Sequence, residues 1–325
     1  MKNRKIVIAG GTGFIGREIA RYFGPYNEIV ILTRQDKNSN NNAFDKQSLD
    51  ALPNTTLVYW NAKDTGNWCT AIDGVDVLIN LAGKSVNCRY NRQNKKAIFD
   101  SRTQSTEALG EAVRKATRPP KLWINAASAT IYRHATDRPQ DEYTGEYHHD
   151  FSVQVCQKWE KTFFDQRTPF TRKVALRIAI TLAAGGVMVP YLNLCKFGLG
   201  GKQGNGQQMF SWIHITDLCR IIDFMWTHTE LEGVFNASAP NPVTNEVFMR
   251  SLRTATGHHI GLPAHTWMLK MGAAILGTET ELLLKSRWVL PTKLQEAGFA
   301  FDYAEIKSAF DQIVSKLKRS KYHLL

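Results

Sequence analysis

Four apolar residues, Ile6-Val7-Ile8-Ala9, run directly into Gly10-Gly11-Thr12-Gly13-Phe14-Ile15-Gly16. The first group reads as a buried strand, and Phe14 to Tyr22 reads as a helix leaving it. A glycine turn between a strand and a helix N-terminus suits a diphosphate. Glycine permits the tight turn, lets backbone approach the phosphates, and lets helix and strand pack closely. The N–H groups of the first helical turn and the helix dipole supply the attraction. Glycines at 10, 13 and 16 give GxxGxxG spacing rather than GxGxxG. The strand before and the helix after are the context such a motif requires. Gly10, Thr12, Gly13, Phe14, Ile15 and Gly16 are therefore the candidate dinucleotide-binding residues.

The end of the second strand, Glu28 to Thr33, decides which dinucleotide. In NAD-specific folds an acid about 20 residues past the glycines takes the ribose hydroxyls and repels a 2′-phosphate. Here the strand ends Leu32-Thr33-Arg34. A hydroxyl and a guanidinium suit a phosphomonoester, because arginine offers several donors and a fixed charge. The reading favours NADP over NAD. Asp36, two residues further into a polar loop, is the competing candidate.

Further strands are expected at Thr56 to Trp60, Val75 to Leu81, Lys121 to Ala127 and Lys173 to Ile178. A helix from about Lys95 to Lys115 and another carrying the stripe Phe151, Val155, Trp159 and Phe163 alternate with them. The alternation predicts an α/β fold with a doubly wound parallel sheet, its ligands at the carboxyl ends of the strands. Asn61 and the small residues of Asn80-Leu81-Ala82-Gly83 fall at such ends. Beyond Gly233 the pattern changes to a short strand and several helices, a smaller and mainly helical C-terminal lobe. There Thr244 is expected to cap one helix, Pro291 to open a short one, and Asp302 with Glu305 to form a capping box.

The 325 residues can bury an ample core. No apolar run approaches the roughly 18 residues of a membrane span, and the basic N-terminus lacks the apolar stretch of a secretory leader. Five dispersed cysteines without metal-like spacing suit a reduced, cytoplasmic protein. The adjacent pairs His148-His149 and His258-His259 diverge in regular structure, so no metal site is expected. A formal charge of +12 raises nucleic acid or an anionic membrane as partners. Basic faces on a nucleotide-binding protein account for it more simply, and Lys316 to Lys321 reads as a solvated tail. Neither partner is expected.

Taken together, the chain resembles the extended short-chain dehydrogenase/reductase superfamily, in its atypical "epimerase family" branch. The resemblance rests on the glycine turn, Asn80-Leu81-Ala82-Gly83, Asp100-Ser101-Arg102, Trp159-Glu160, Gly198-Leu199-Gly200-Gly201 and Ser211-Trp212-Ile213-His214. Ala239 to Asn245, Leu282-Leu283-Leu284, Leu290-Pro291 and Gly298-Phe299 complete it. It implies NADP(H) binding, with Thr33 and Arg34 on the 2′-phosphate and Leu81 and Ala82 along the adenosine and ribose. Arg102 would reach the cofactor, and Thr181 would lie beside the nicotinamide half. It also implies a Rossmann domain over residues 1–235 and a small substrate-side domain over 236–325.

Standard members transfer hydride with a Tyr-x-x-x-Lys pair, the ammonium lowering a phenol pKa from about 10. A Ser or Thr at the end of the fifth strand orients the carbonyl, and Ser128 fits that role. Aligned on Trp159-Glu160, however, the Tyr and Lys positions hold Ser152 and Cys156. Tyr59–Lys63 and Tyr303–Lys307 have the right spacing in the wrong places. Tyr132, near Ser128, is the substitute proton donor considered first, with aromatic packing as its alternative role. Lys158, Cys156 and the Tyr143 to His149 loop are further candidates. Two functions stay open: an NADP(H)-dependent oxidoreductase or epimerase on an unidentified small carbonyl or hydroxyl compound, or an inactive NADPH-binding regulatory or scaffold protein. A homodimer is compatible with either.

Overall fold

The computed structural model describes residues 1–34, 51–269, 271 and 284–324. Asp36, the Asn38 to Asn42 loop, Leu282 and Leu283 lie outside the described residues. The chain opens with β1 (Lys5–Ala9), α1 (Phe14–Phe23), β2 (Glu28–Thr33), β3 (Thr55–Tyr59) and β4 (Val77–Asn80). It continues with α2 (Arg92–Lys115), β5 (Leu122–Ser128), α3 (Phe151–Phe164) and β6 (Arg172–Ile178). The short β7 (Ile180–Leu182), α4 (Met188–Lys196), β8 (Met209–Phe210) and β9 (Trp212–His214) follow. Then come α5 (Ile215–Thr227), β10 (Gly233–Ala237), β11 (Val243–Thr244), α6 (Asn245–Ala255), α7 (Thr292–Glu296) and α8 (Ile306–Ser315).

Seven strands form one sheet in the order β10-β6-β5-β4-β1-β2-β3, every pair parallel. The order reverses between β1 and β4, which is where such sheets open a crevice. The doubly wound parallel sheet is therefore as the alternation required. Its strands are apolar on both faces because both are covered. Ile6, Ile8, Ile29, Ile31, Val77 and Ile79 pack under α1 and α5, while Val7, Ala9, Leu32, Leu78 and Trp123 pack under α2 and α3. Each fully buried aliphatic side chain there contributes roughly 1.5–3 kcal/mol. The aromatic stripe of α3 is core: Val155, Trp159 and Phe163 are buried, and Trp123 and Phe163 meet edge to face at 4.9 Å.

The strand entering the helical lobe, β10, pairs with β6 as the seventh member of the sheet. The expected division after residue 235 falls inside it, since residues 236 and 237 still belong to the ladder. A third cluster, including Tyr191, Phe210, Trp212, Phe248 and Phe310, joins α4, α6 and α8. The stretch before α7 threads back between the two parts. Gln140 N donates to Trp288 O at 2.7 Å and Arg287 N donates to Met209 O at 2.9 Å.

Thr244 caps α6, its hydroxyl accepting from Val247 N at 3.3 Å, and Pro291 stands at the start of α7. The capping box does not form. Glu305 is the N-cap of α8 without a side-chain capping bond, its carboxylate accepting instead from Asn241 Nδ2 at 2.6 Å, and Asp302 N donates to Asp217 Oδ1 at 3.0 Å. Sequence spacing could not see that buried Asp217, brought from 85 residues away, competes for this loop.

Candidate cofactor and active site

The glycine turn is built for close approach. Gly10 has φ +75°, and a Cβ there would sit 2.9 Å from Leu81 C and Ala82 N. The turn thus presses against the loop after β4, which puts Leu81 and Ala82 beside it. Gly16 meets Gly11 just as tightly, with a Cβ falling 2.5 Å from Gly11 Cα, so helix and strand touch at their backbones. Gly13 differs. It is exposed, and a Cβ there would meet only Gly10 O at 3.3 Å. Gly13 is also the N-cap of α1, which has no side-chain cap and no acidic residue in its first turn. A helix end whose N–H groups have no side-chain oxygen acceptor, facing outward through a glycine, fits a phosphate.

Around this turn the other expected cofactor residues fall at carboxyl ends of strands. Thr33 is buried at the end of β2, where its carbonyl accepts from Trp60 N, and Arg34 next to it is exposed. Ile15 lies half-buried against the α1 side of the core, and Thr12 is half-buried in the turn. Phe14 turns its ring to the Gly185-Gly186 turn after β7, where a Cβ would come within 2.8 and 2.6 Å of it. It packs the glycine turn on the neighbouring loop. Thr181 is buried in β7, with Oγ1 donating to Ala179 O at 3.4 Å. Asn61 spends its amide locally, accepting from Lys63 N and Asp64 N.

The loop after β4 is fixed by a buried amide network that sequence reading passed over. Asn80 donates to Asn125 Oδ1 at 2.7 Å and to Thr106 Oγ1 at 3.1 Å, and its own Oδ1 accepts from Ala82 N at 3.0 Å. Arg102 folds over Gly83: its Nη1 donates to Lys84 O and Ile98 O at 3.1 Å each, and its guanidinium lies 5.1 Å from the Trp159 ring. Burial pulls its pKa below the ordinary value.

At the end of β5, Ser128 is half-buried; its hydroxyl accepts from Thr130 N at 3.2 Å and shares a hydrogen bond with Cys156. So Ser128 and Cys156, the residue at the Lys position, do come together, and Ser152 lies one turn before Cys156 on α3. Their chemistry is not that of an acid–cation pair. Ser152 and Cys156 are buried, and burial pushes the Cys156 thiol up to about 12, which keeps it protonated and inert near neutrality.

Tyr132, the proton donor expected first from the sequence, is enclosed rather than presented to a ligand. It is 0 % exposed, its hydroxyl donates to Asn236 Oδ1 at 3.0 Å, and it accepts from Arg177 Nη1 at 2.7 Å. Burial drives its phenol pKa upward, so it holds its proton rather than trading it. Lys158 points to solvent on α3. Around Tyr132 lies a pair that sequence reading missed. Arg177 forms two bonds to the Glu160 carboxylate, 2.8 Å each, and donates to Tyr147 Oη at 2.9 Å. A charged residue inside the apolar strand Arg172–Ile178 was the available signal, because such a charge needs a partner. His214 is structural. Its Nδ1 accepts from Thr216 N at the start of α5, Nε2 bonds Gln312, and burial lowers its pKa to about 4.

The model of the NAD dependent epimerase/dehydratase family matches residues 6–154, and that of a domain of unknown function, DUF1731, matches residues 266–313. An epimerase family protein of Staphylococcus saprophyticus is 32% identical over 311 residues, covering 95% of this chain and 98% of that one. The crystal structure of a human epimerase family protein, SDR39U1, with NADPH superposes with a TM-score of 0.82 at 26% identity, covering 96% of this chain and 100% of the other. A nucleoside-diphosphate sugar epimerase from Corynebacterium glutamicum gives 0.73 at 26% identity, covering 96% and 58%. The Bordetella bronchiseptica enzyme WbmG in complex with NAD shares the fold at 15% identity, with a TM-score of 0.75 over 96% of this chain and 93% of that one.

Proposed function

This chain belongs to the NAD dependent epimerase/dehydratase family, and on that premise we propose that it binds NADPH and works as an oxidoreductase or epimerase on a small carbonyl or hydroxyl compound. The observation that carries the reading is the outward-facing, uncapped start of α1 at Gly13, together with the exposed Arg34 that follows β2, the strand paired with β1. First-turn N–H groups and the helix dipole suit the diphosphate, and the guanidinium suits a 2′-phosphate. The NADPH held by the human relative supports the choice of coenzyme. When bound, a reduced nicotinamide supplies a hydride. The chain's own part is to orient it with Leu81, Ala82 and Thr181 and to hold a carbonyl oxygen through Ser128. The proton does not come from Tyr132, whose hydroxyl is already used twice; solvent is its source.

Thermal melts with NADPH and NADH test the coenzyme. A ligand at about 100 times its dissociation constant adds roughly 2.7 kcal/mol, so a preference for NADPH should stand out in Tm. Arg34→Ala should erase that preference and leave the melt of the free protein unchanged. An undiminished preference in that variant would remove Arg34 from the assignment. For activity, NADPH absorbance is followed across a panel of carbonyl compounds, and Ser128→Ala should abolish whatever turnover the parent shows.

The sealed Tyr132 and the protonated Cys156 favour a second reading, a protein that binds NADPH without turning it over and changes a partner's affinity. It predicts a clear NADPH melt shift, no absorbance change with any substrate, and coenzyme-dependent capture of a partner. Turnover that Ser128→Ala removes would exclude it.

A further inference from the structure

Much of the +12 formal charge gathers on a face that the cofactor site does not use. Three stretches distant in sequence meet there. Residues 194–204, at and beyond the end of α4, carry Lys196 and Lys202, and residues 250–268 carry Arg250 and Arg253. Residues 316–324 carry Lys316, Lys318, Arg319 and Lys321. None of the three contains an aspartate or a glutamate.

Specific bonds hold them together. Leu262 N donates to Gly198 O at 2.8 Å, Gly201 N donates to Leu262 O at 3.1 Å, and Lys196 Nζ donates to Ser320 O at 2.8 Å. The rings of His258 and His323 stack with centroids 4.5 Å apart. The basic end of the chain is therefore docked beside the other two stretches rather than trailing in solvent, as its composition alone suggested.

Large apolar side chains point outward from the same face. Phe197 is 61% exposed, Leu199 44%, Ile260 74% and Leu262 58%. Single exposed apolar residues are ordinary, but four on two hydrogen-bonded strips among cations form a patch that calls for a partner. Apolar side chains projecting from a surface whose three strips carry cations and no acid, with Glu246 of α6 packed beside Lys202 at its edge, match the boundary between headgroups and acyl chains of an anionic bilayer. We infer that this face attaches the protein peripherally to an anionic lipid bilayer. Phe197, Leu199, Ile260 and Leu262 enter the headgroup region while the lysines and arginines meet lipid phosphates and carboxylates.

Other occupants fit less well. A second copy seated on the same patch would set the Lys316 to Lys321 cluster against itself. A nucleic acid would answer the cations and stack a base on Phe197, but would leave Leu199, Ile260 and Leu262 with nothing to touch. Among the described residues no helix is long and apolar enough to cross a membrane, and attachment of this kind needs none.

The test is co-sedimentation of the full chain with phosphatidylcholine vesicles, with and without phosphatidylserine. Binding is expected only with phosphatidylserine, weakening as salt rises. The triple variant Lys318→Gln/Arg319→Gln/Lys321→Gln should lower partitioning about fivefold per charge, on the order of 100-fold together. Phe197→Ser/Ile260→Ser should lower it at least about tenfold. All these positions are exposed or surface-docked, and unchanged melts and NADPH-induced shifts confirm that the variants fold. Equal sedimentation with and without phosphatidylserine overturns the proposal. So does a Phe197→Ser/Ile260→Ser variant that binds vesicles as the parent does, since the contact would then be electrostatic alone. A solution dimer that the same double variant dissociates, without vesicle binding by the parent, assigns the patch to a second copy and equally ends it.

Discussion

Glu160→Gln tests the Arg177–Glu160 pair most sharply. The two residues are 4% and 8% exposed, and each of two carboxylate–guanidinium bonds is 2.8 Å long. Burial works against the Arg177 charge, and the carboxylate more than offsets it, so the arginine pKa is raised. Glutamine keeps the shape of Glu160 but not its charge, leaving a buried guanidinium facing only neutral groups: one amide oxygen in place of the carboxylate, and the hydroxyls of Tyr132 and Tyr147. Breaking a buried pair from one side costs about 3–5 kcal/mol. At about 2.1 cal/mol/K per residue, 325 residues carry an unfolding entropy of roughly 0.7 kcal/mol/K, so Tm should fall by about 4–7 °C. Arg177→Met should cost a similar amount by stranding the carboxylate. The double variant Glu160→Gln/Arg177→Met removes both charges and should lose less than the two singles combined, with a coupling of about 2 kcal/mol. Calorimetry at neutral pH reads all four proteins. Strict additivity, or a Glu160→Gln melt within about 1 °C of the parent, would refute the claim that these charges act as a unit.

Three other outcomes follow from the same geometry. Gly13→Ala should leave the melt near the parent's but weaken NADPH binding, while Gly16→Ala should lose about 1–3 kcal/mol of stability, because its Cβ meets Gly11 backbone that cannot move aside. Equal losses of stability in the two would contradict this division between ligand space and packing. Tyr132→Phe strands the donor of Arg177 and the acceptor of Asn236, so it should cost about 1–3 kcal/mol while leaving the NADPH-induced melt shift intact. A stable variant that loses turnover would restore the catalytic role. His214 has a folded pKa of about 4, below the unfolded value near 6.5, so the unfolded chain binds the proton first. Its contribution is whole above pH 6.5 and is lost as pH falls toward 4, on the order of 3 kcal/mol in all. Denaturant midpoints measured from pH 7 to 4 for the parent and His214→Asn should converge at the acid end; parallel curves would count against it.

Strand and helix positions were legible because the signals are local. The apolar run before Gly10, the four-residue stripe on α3 and the caps Thr244 and Pro291 each need only their neighbours. The end of β2 was legible for the same reason. The burial of Tyr132 was not legible, because nearness to Ser128 in sequence says nothing about exposure. Whether its hydroxyl meets substrate or Arg177 depends on β6 and β10, which enter 45 and 104 residues later. The capping box at Asp302 failed to Asp217 in the same way, and the tail from Lys316 looked free until Lys196 and His258 were placed beside it.

The sequence alone determined a parallel sheet with a phosphate turn at its head, because apolar period, glycine spacing and helix-end chemistry act over a few residues at a time. It also carried the expectation that Ser152 and Cys156 stand at the Tyr and Lys positions, since that is a matter of residue identity. Tertiary structure alone decided which polar groups are sealed and which face a ligand. Burial and hydrogen-bond partners are set by residues tens of positions apart, and a buried group's chemistry is fixed by whichever of them reaches it.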